Sequence, residues 1–369
     1  MRAIYIAATS RNAGKTTIAL GLLWALEERG YRCQYFKPVG QHYYEYEGQR
    51  ADSDAWLCRE ATGSEVEAEM MSPVVIPPGF VSEYLSNPDP QPLESKIRDA
   101  AENLSRNADV LVVEGTGHAG VGSCLGLSNA AVAKMLNASV LMVVPGGIGR
   151  SLDEVSLSMR FFQAYEVSLL GVVANKIFKE KYEKVSRSLA SGLEQLGTRL
   201  VGAVPYEPAL SFPTMDQIRQ ELDAPVLCGH EMLGNVVENT IVAAMTPQNA
   251  LRYLCPGTLV ITPGDRVDNI LLAISANGEG SEGGKRKVAG IVLTGGLMPH
   301  VTIMPLLKHA GLPVLLSRED TFTVTSRVSQ RVFKINPGDT EKIEAARRFV
   351  REFVEVDALL SEIGKPAAR

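Results

Sequence analysis

The sequence predicts an α/β protein in which a parallel sheet with helices on both faces is followed by a smaller α/β domain. Three observations lead to this fold class. The chain has 369 residues, more than one ordinary hydrophobic core accommodates. Apolar runs alternate with helical patterns over residues 3–208, which is typical of parallel strands joined by crossover helices. A loop ending in Gly-Lys-Thr separates the first apolar run from the first helical pattern.

Six apolar runs form the predicted sheet of the first domain. Each is short and bounded by glycine, proline or polar residues, as strands are. The segments between them have helical spacing, and the first of these ends at Gly30. The predicted strands cover 3–8, 32–40, 108–115, 138–147, 169–176 and 199–208, and the predicted helices cover 15–30, 93–107, 129–137 and 151–165.

The pattern changes after Pro208, where a linker with a short helix precedes a second α/β series. That series contains a Gly-rich charged loop, which we expect to be flexible. Its predicted strands cover 258–265, 288–296 and 312–320, its helices 267–275 and 300–310, and its loop 277–287; an amphipathic helix follows over 339–354. The predicted boundaries are a first domain over 1–210, a linker and short helix over 211–222, a second domain over 223–335, and a C-terminal helix and tail over 336–369.

Composition indicates a soluble globular protein, with 45% apolar and 21% charged residues. A net charge of −5 provides no basic field for nucleic acid or for an anionic membrane, so neither is an expected partner. The N-terminus has no signal-peptide pattern, and no apolar run approaches the roughly 20 residues of a membrane span. Five scattered cysteines without a Cys-x-x-Cys pair favour reduced thiols and a cytoplasmic location.

Residues 8–17, ATSRNAGKTT, are typical of a phosphate-binding loop, because they join a predicted strand to a predicted helix. In such loops backbone N–H groups and the helix N-terminus bind phosphate, the lysine reaches the terminal phosphates, and the next hydroxyl binds Mg²⁺. The standard pattern has glycine where this chain has Thr9. The predicted contacts are Asn12, Ala13, Gly14, Lys15, Thr16 and Thr17.

The loop resembles that of the family of dethiobiotin synthetases and cobyrinate amide synthases, which is one residue longer than the standard loop. That loop begins Gly-Thr, so Thr9 matches its threonine and Ala8 replaces its glycine. Alanine costs little there if its backbone stays in the β region, and more if its φ is positive. The resemblance implies a P-loop NTPase-type domain with ATP and Mg²⁺ as cofactors.

Three further segments match the family in order. Lys37-Pro38 ends the second predicted strand, and the resemblance implies that Lys37 stabilises charge on the transferring group. It also implies Asp54 as a ligand of Mg²⁺ and nucleotide, with Asp52 second; a helix N-cap is the structural alternative. Glu114 ends the apolar run VLVV, where a carboxylate needs a cation. The implied catalytic residues are Lys15 and Lys37, and the implied metal ligands are Thr16, Asp54 and Glu114.

The remaining matches concern the nucleotide. Gly-Thr-Gly follows Glu114 and is expected close to phosphate. An Asn-Lys pair ends GVVANKI (171–177), where the family places an asparagine at the adenine edge; guanine recognition by Asn-Lys-x-Asp would need aspartate in place of Phe178. GAVPYEP (202–208) resembles the family's turn beside the base. The implied nucleotide contacts are Gly115, Thr116, Gly117, Asn175, Lys176 and Pro205.

A biosynthetic reading of the first domain is an ATP-dependent ligase of this family, acting on an unknown carboxylate or amine. Dethiobiotin synthetases are short and place a hydroxyl residue after the Lys-Pro strand, where this chain has Gln41. Cobyrinate amide synthases carry a glutaminase with a Cys–His pair. Cys228 and Cys255 lie in VLCGH and YLCPG, neither of which forms a strand–nucleophile–helix elbow. Glutaminase activity is therefore not expected.

The second half favours a different reading. ITPGDRVDNILLA (261–273) with GIVLTGG (290–296) resembles the DRTGG domain, a regulatory α/β module. In order, the whole chain resembles the N-terminal region of long bacterial phosphate acetyltransferases, without the acetyltransferase domain. The resemblance implies a stand-alone ATP- and Mg²⁺-binding regulator with slow hydrolysis at most and no acetyl transfer. Its expected partners are a small-metabolite effector, a separate acetyltransferase, and further copies of the chain through the DRTGG-like domain.

Overall fold

A computed structural model describes residues 2–46, 48–278, 288–331 and 333–363. The chain forms two compact units. The first comprises Met1–Glu207 together with Ile335–Arg369, and the second comprises Pro208–Lys334. Most of the loop predicted over 277–287 lies outside the described residues, and its first two residues end a helix.

The first unit contains a six-stranded parallel sheet in the order β10-β9-β8-β1-β7-β2. Every residue of β7 is buried, as are all but the first residue of β1, which requires cover on both faces of the sheet. The predicted parallel α/β fold is thus confirmed. The strands are β1 (Arg2–Ala8), β2 (Cys33–Phe36), β3 (Val39–Gly40), β4 (Tyr43–Tyr46), β5 (Gln49–Asp52), β6 (Val74–Val75), β7 (Val110–Glu114), β8 (Ser139–Pro145), β9 (Leu169–Ile177) and β10 (Leu200–Pro205).

Helices connect these strands, and the four short strands outside the main sheet pair as β3 with β6 and β4 with β5. Among the described residues, no helix combines the length and apolar character needed to cross a membrane. The helices are α1 (Lys15–Glu27), α2 (Ser53–Thr62), α3 (Ala68–Met71), α4 (Phe80–Tyr84), α5 (Gln91–Ser105), α6 (Asn129–Met135), α7 (Gly149–Ala164) and α8 (Tyr182–Gln195).

The second unit contains a five-stranded sheet in the order β11-β15-β14-β13-β12, with only the β11–β15 pair antiparallel. Strands β11 and β12 are not among the predicted strands, because strands of three and four residues give little periodicity. The elements are α9 (Met215–Leu222), β11 (Val226–Cys228), β12 (Asn239–Val242), α10 (Pro247–Ala250), β13 (Thr258–Pro263), α11 (Val267–Gly278), β14 (Val288–Thr294), α12 (Met304–His309), β15 (Val314–Leu316) and α13 (Thr321–Gln330).

The C-terminal segment forms two helices, α14 (Thr340–Phe353) and α15 (Val356–Glu362), where one was predicted. It belongs to the first unit. A Cβ on Gly21 of α1 would lie 2.4 Å from the backbone oxygen of Ala346, so glycine permits the close approach of α14. Arg29 pairs with Asp357, with its Nε 2.6 Å from Oδ1. Both ends of the chain therefore build the unit that carries the phosphate loop.

Candidate functional site

The phosphate loop joins the last residue of β1 to the first residue of α1. Ala8, which replaces the family's leading glycine, lies in the strand opposite Val143. It is absent from the described residues with positive φ, so alanine is compatible with this backbone. The next residue continues the pairing, because the Thr9 N–H donates to the oxygen of Val143 at 3.2 Å. The substitution therefore leaves the loop intact.

Gly14 is the residue on which the loop geometry depends. Its φ is +98°, and a Cβ at this position would lie 2.1 Å from Asn175 Nδ2. Both the backbone and the available space therefore require glycine. Helix α1 follows with no side-chain cap and no acidic residue in its first turn. Its first N–H groups and positive dipole end are consequently suited to an anion.

The end of β9 holds the outer part of the loop. Asn175 Nδ2 donates to the Ala13 oxygen at 2.9 Å, and Asn175 Oδ1 accepts from the Lys176 N–H at 2.9 Å. Lys176 Nζ donates to the oxygen of Asn12 at 2.8 Å. Burial lowers the pKa of Lys176. Asn175 and Lys176, which were predicted to contact the base, thus lie against the loop. Pro205 of β10 is in register with Ile177 of β9, which follows Lys176.

A buried asparagine, which was not among the predicted site residues, holds the segment after β7. Asn129 Oδ1 accepts from the Thr116 N–H and from the Tyr5 hydroxyl, at 3.0 and 2.8 Å. Its Nδ2 donates to the oxygens of Thr116 and His118, at 2.8 and 2.6 Å. Lys15 Nζ donates to the oxygen of Gly117 at 3.1 Å. The predicted Gly115-Thr116-Gly117 segment therefore lies beside the loop lysine.

A buried charge cluster lies next to this segment. Lys37 Nζ is 2.9 Å from both Asp54 Oδ2 and Glu114 Oε1. The hydroxyl of Thr16 donates to Glu114 Oε1 at 3.0 Å, and that of Tyr35 donates to Oε2 at 2.8 Å. The three charged residues are at most 4% exposed. The structure thus brings together Thr16, Lys37, Asp54 and Glu114, which come from separate parts of the sequence.

Electrostatics keep the lysine of this cluster charged. Burial opposes the charged form of Lys37, but Asp54 and Glu114 outweigh it and hold the pKa of Lys37 well above its usual range. Burial, followed by the charge of Glu114, raises the pKa of Tyr35 well above its usual range. Tyr35 therefore remains a neutral hydrogen-bond donor to the carboxylate. Tyr35, like Asn129, was not among the predicted site residues.

Asp52 and Asp54 have different roles in the fold. Asp52 caps α2, with Oδ1 accepting from the Asp54 N–H at 3.0 Å. Its Oδ2 accepts from the N–H groups of Gln41 and His42, at 2.9 and 3.0 Å. Asp52 is thus occupied in holding the backbone. Of the two predicted aspartates, Asp54 is the one whose carboxylate reaches Lys37.

The side-chain oxygen atoms of this cluster show whether the site is suited to Mg²⁺ and a nucleotide. Over the described ranges, no group of three or more His, Cys, Asp or Glu side chains is placed to hold a metal alone. Mg²⁺ normally keeps water and phosphate oxygens and takes only one or two carboxylates. Thr16, Asp54 and Glu114 offer that kind of hard oxygen set beside the phosphate loop. The residues present therefore fit a magnesium nucleotide.

In the second unit, the residues that resemble the DRTGG motif form hydrogen bonds and an ion pair within the fold. The N–H groups of Gly295 and Gly296 donate to the oxygens of Glu319 and Ser317, at 2.7 and 2.8 Å. Arg266 pairs with Asp268 at 2.9 Å and donates to the backbone oxygens of residues 244 and 245. These contacts close loops at the ends of the parallel strands.

The parallel sheet, the glycine-dependent loop and the lysine at the start of α1 define a P-loop nucleotide-binding fold. The chain belongs to the AAA domain family, whose model matches residues 2–214. The DRTGG domain model matches residues 217–331. This agrees with the two resemblances found in the sequence.

Relatives of known name match nearly the whole chain. The phosphate acetyltransferase of Nitrosomonas europaea is 25% identical over 379 residues, covering 99% of this chain and 52% of that protein. The phosphate acetyltransferase of Pseudomonas putida is 28% identical over 383 residues, with coverage of 99% and 52%. The chain thus spans about half the length of these relatives, consistent with the predicted resemblance to their N-terminal region.

Among solved structures, the MinD cell division protein of Aquifex aeolicus is 16% identical and has a TM-score of 0.37, covering 57% of this chain and 84% of that chain. The CBS and DRTGG domains of the regulatory region of Clostridium perfringens pyrophosphatase, complexed with the activator diadenosine tetraphosphate, are 18% identical. That match has a TM-score of 0.26 and covers 56% of this chain and 85% of that chain.

Proposed function

We propose that the chain is an ATP- and Mg²⁺-binding regulatory or sensor protein related to the N-terminal region of phosphate acetyltransferases. The observation that carries the proposal is the phosphate loop, in which Gly14 and the uncapped start of α1 lie beside Lys15. The relatives and the DRTGG match support a regulatory role.

In this proposal the predicted residues have distinct roles. The loop from Asn12 to Thr17 and the Gly115–Gly117 turn contact phosphate. Lys15 neutralises the terminal phosphates, and Thr16, Asp54 and Glu114 hold Mg²⁺, which when bound screens the phosphate charge. Asn175, Lys176 and Pro205 flank the base, with Asn175 and Lys176 also bracing the loop.

A second candidate is an ATP-dependent ligase acting on a carboxylate or amine, and the buried Lys37 favours it. An ammonium group between two carboxylates remains charged in a dry site, where it can stabilise negative charge on a transferring group. Lys37 is already neutralised by Asp54 and Glu114, which supports binding with slow hydrolysis for the regulator. Turnover with an added carboxylate or amine distinguishes the two candidates.

The proposed setting is cytoplasmic, with a small-metabolite effector and a separate acetyltransferase as partners. Self-association through the DRTGG-like domain is part of the proposal. It is supported by large apolar side chains of that unit that face solvent, including Val301 and Phe322, which are 75% and 80% exposed.

Calorimetric titration with ATP, ADP and GTP, each with Mg²⁺, tests the proposal on the wild type and on Lys15→Ala. We expect Lys15→Ala to weaken ATP binding by about 10- to 150-fold, because a charged hydrogen bond contributes about 1.5–3 kcal/mol and 1.4 kcal/mol is tenfold. Lys96→Ala, on an exposed position of α5, is the control and should bind like the wild type. A wild-type protein that binds none of the three nucleotides would rule the proposal out.

A further inference from the structure

A cavity of about 330 Å³ lies in the first unit, away from the phosphate loop. Its size is at the lower end of the range for small-molecule sites, about 300–1,000 Å³. Its wall includes Leu23 and Glu27 of α1, Cys33 and Tyr35 of β2, and Glu65 and Met71 from the segment around α3. None of the catalytic or binding roles proposed above uses this space.

The cavity lies against a sheet edge. Strand β2 is the last strand of the six-stranded sheet, so one of its edges has no strand partner. Just after β2, the Lys37 N–H donates to the oxygen of Met71 at 2.7 Å and connects the end of this strand to α3. The cavity lies between β2 and residues of the segment 62–71.

The charged residues in the cavity wall indicate which charge a ligand should carry. Among the described residues that line the cavity, two are glutamates and none is basic. Glu27 is also the last residue of α1, where the helix dipole is negative. The guanidinium of Arg347, which is near Glu27, is bound to Glu28 at 2.7 Å. Arg59 donates to the oxygen of the lining residue Val66 at 3.1 Å and is 3.5 Å from Glu60. Because both nearby guanidinium groups are paired with glutamates outside the wall, the two wall glutamates favour a cation over an anion.

Apolar wall residues restrict the cation further. Leu23 and Met71 are buried at the base, while Glu27 and Glu65 are exposed at the rim. A bare metal ion would gain nothing from the apolar base, whereas an alkyl chain ending in an ammonium group matches both parts. The chemistry therefore favours a small primary amine.

Two elements connect the cavity to the phosphate site. Helix α1 carries Lys15 and Thr16 at its start and Leu23 and Glu27 along its second half. Tyr35 lies in the cavity wall and donates to Glu114 Oε2 at 2.8 Å. A ligand that shifts either element would change the geometry around Glu114, which gives a physical basis for coupling between the two sites.

We propose that this cavity binds a small primary amine as an alkylammonium ion and that its occupancy changes the affinity of the phosphate loop for magnesium nucleotide. The coupling rests on the function proposed above, whereas amine binding does not. The proposal therefore names the chemical class of the small-metabolite effector.

Calorimetry with butylammonium, 1-butanol and butyrate tests the ligand class on the full chain. We expect only butylammonium to bind, and Glu27→Gln with Glu65→Gln to weaken it at least tenfold. Glu194→Gln, at an exposed position on α8, is the matched control and should bind like the wild type. Binding of butyrate, or equal butylammonium affinity in the double variant, would overturn the site.

A second titration, of Mg-ATP with and without saturating butylammonium, tests the coupling. We expect ATP affinity to change at least threefold in the wild type and to stay constant in the double variant. Equal ATP affinity with and without the amine in the wild type would overturn the effector role. A wild type that binds butylammonium but no Mg-nucleotide would sink the nucleotide proposal while leaving the amine site standing.

Discussion

In both units parallel strands end at one edge of a sheet, but the groups at these strand ends differ. In the first unit, Lys37 follows β2 and Glu114 ends β7, and both are buried together with Asp54. In the described part of the second unit, the buried polar residues are uncharged, as at Thr262 and Thr294. Related architectures thus differ in chemistry, because function depends on the side chains at a site and not on the fold.

The two units also differ in whether the backbone N–H groups near their strand ends are already hydrogen-bonded within the fold. The first N–H groups of α1 have no side-chain cap. In the second unit, by contrast, the N–H groups of Gly295 and Gly296 are bound to backbone oxygens, and Thr294 shares a hydrogen bond with Thr321 at 2.7 Å. Phosphate binding is therefore expected at the first sheet, while the second closes its own strand ends.

The largest predicted effect comes from removing the buried cation of the first unit. Lys37→Met leaves Asp54 and Glu114 buried without their partner, and such a loss costs about 3–5 kcal/mol. Both tryptophans, Trp24 and Trp56, belong to the first unit, so their fluorescence in urea reports its unfolding.

Two controls accompany this variant. Lys134→Met removes an exposed ion pair with Glu166 in the same unit and should cost less than about 1 kcal/mol. Asp54→Asn and Glu114→Gln, added to Lys37→Met, should recover part of the stability. If Lys37→Met unfolds at the same urea concentration as the wild type, the ion pairs of Lys37 do not stabilise the first unit.

A smaller loss of stability is expected from adding a Cβ in a tight loop of the second unit. A Cβ on Gly264 would lie 1.7 Å from the backbone oxygen of Leu297, so Gly264→Ala should destabilise that unit by about 1–3 kcal/mol. Far-UV circular dichroism in urea should then show an earlier transition while tryptophan fluorescence stays unchanged. Gly234→Ala, with open space at its Cβ, is the control. If both probes shift together, the two units do not unfold separately.

The smallest effect is predicted for the loop brace. Asn175→Ala removes the hydrogen bond to the Ala13 oxygen, worth about 0.5–1.5 kcal/mol. Mg-ATP affinity should therefore fall by about 2- to 12-fold, measured by calorimetry. Asn103→Ala on the exposed face of α5 should change nothing. Unaltered affinity in Asn175→Ala would mean that the loop holds its shape without β9.

The parallel sheet could be predicted because buried strands give continuous apolar runs, as VLVV before Glu114 does. The phosphate loop could be predicted because its motif is local. The return of the C-terminal helices to the first unit could not, since the close approach of α14 to α1 requires a residue without a Cβ at Gly21, and a helical pattern does not show this. Nothing in a helical pattern specifies which surface it meets.

The candidate site was predictable residue by residue but not as an arrangement. Lys37 and Glu114 lie near the ends of predicted strands, and a resemblance picked out all three of Lys37, Asp54 and Glu114. The 2.9 Å distance from Lys37 Nζ to Glu114 Oε1 depends on the sheet order, which places β7 beside β2, and the equal distance to Asp54 Oδ2 depends on the packing of α2. Tyr35 and Asn129 escaped notice because each reads as an ordinary core or helix residue, and only tertiary structure gives them their partners.

Hydrogen exchange of the full chain with and without Mg-ATP tests the central comparison most directly. The charged strand ends of the first unit should bind the nucleotide, so amides over 9–17 and 114–118 should become protected. Amides over 262–268 and 294–298 in the second unit should exchange at the same rate in both states. Protection confined to those second-unit segments, with 9–17 unchanged, would contradict the assignment of the nucleotide site to the first unit.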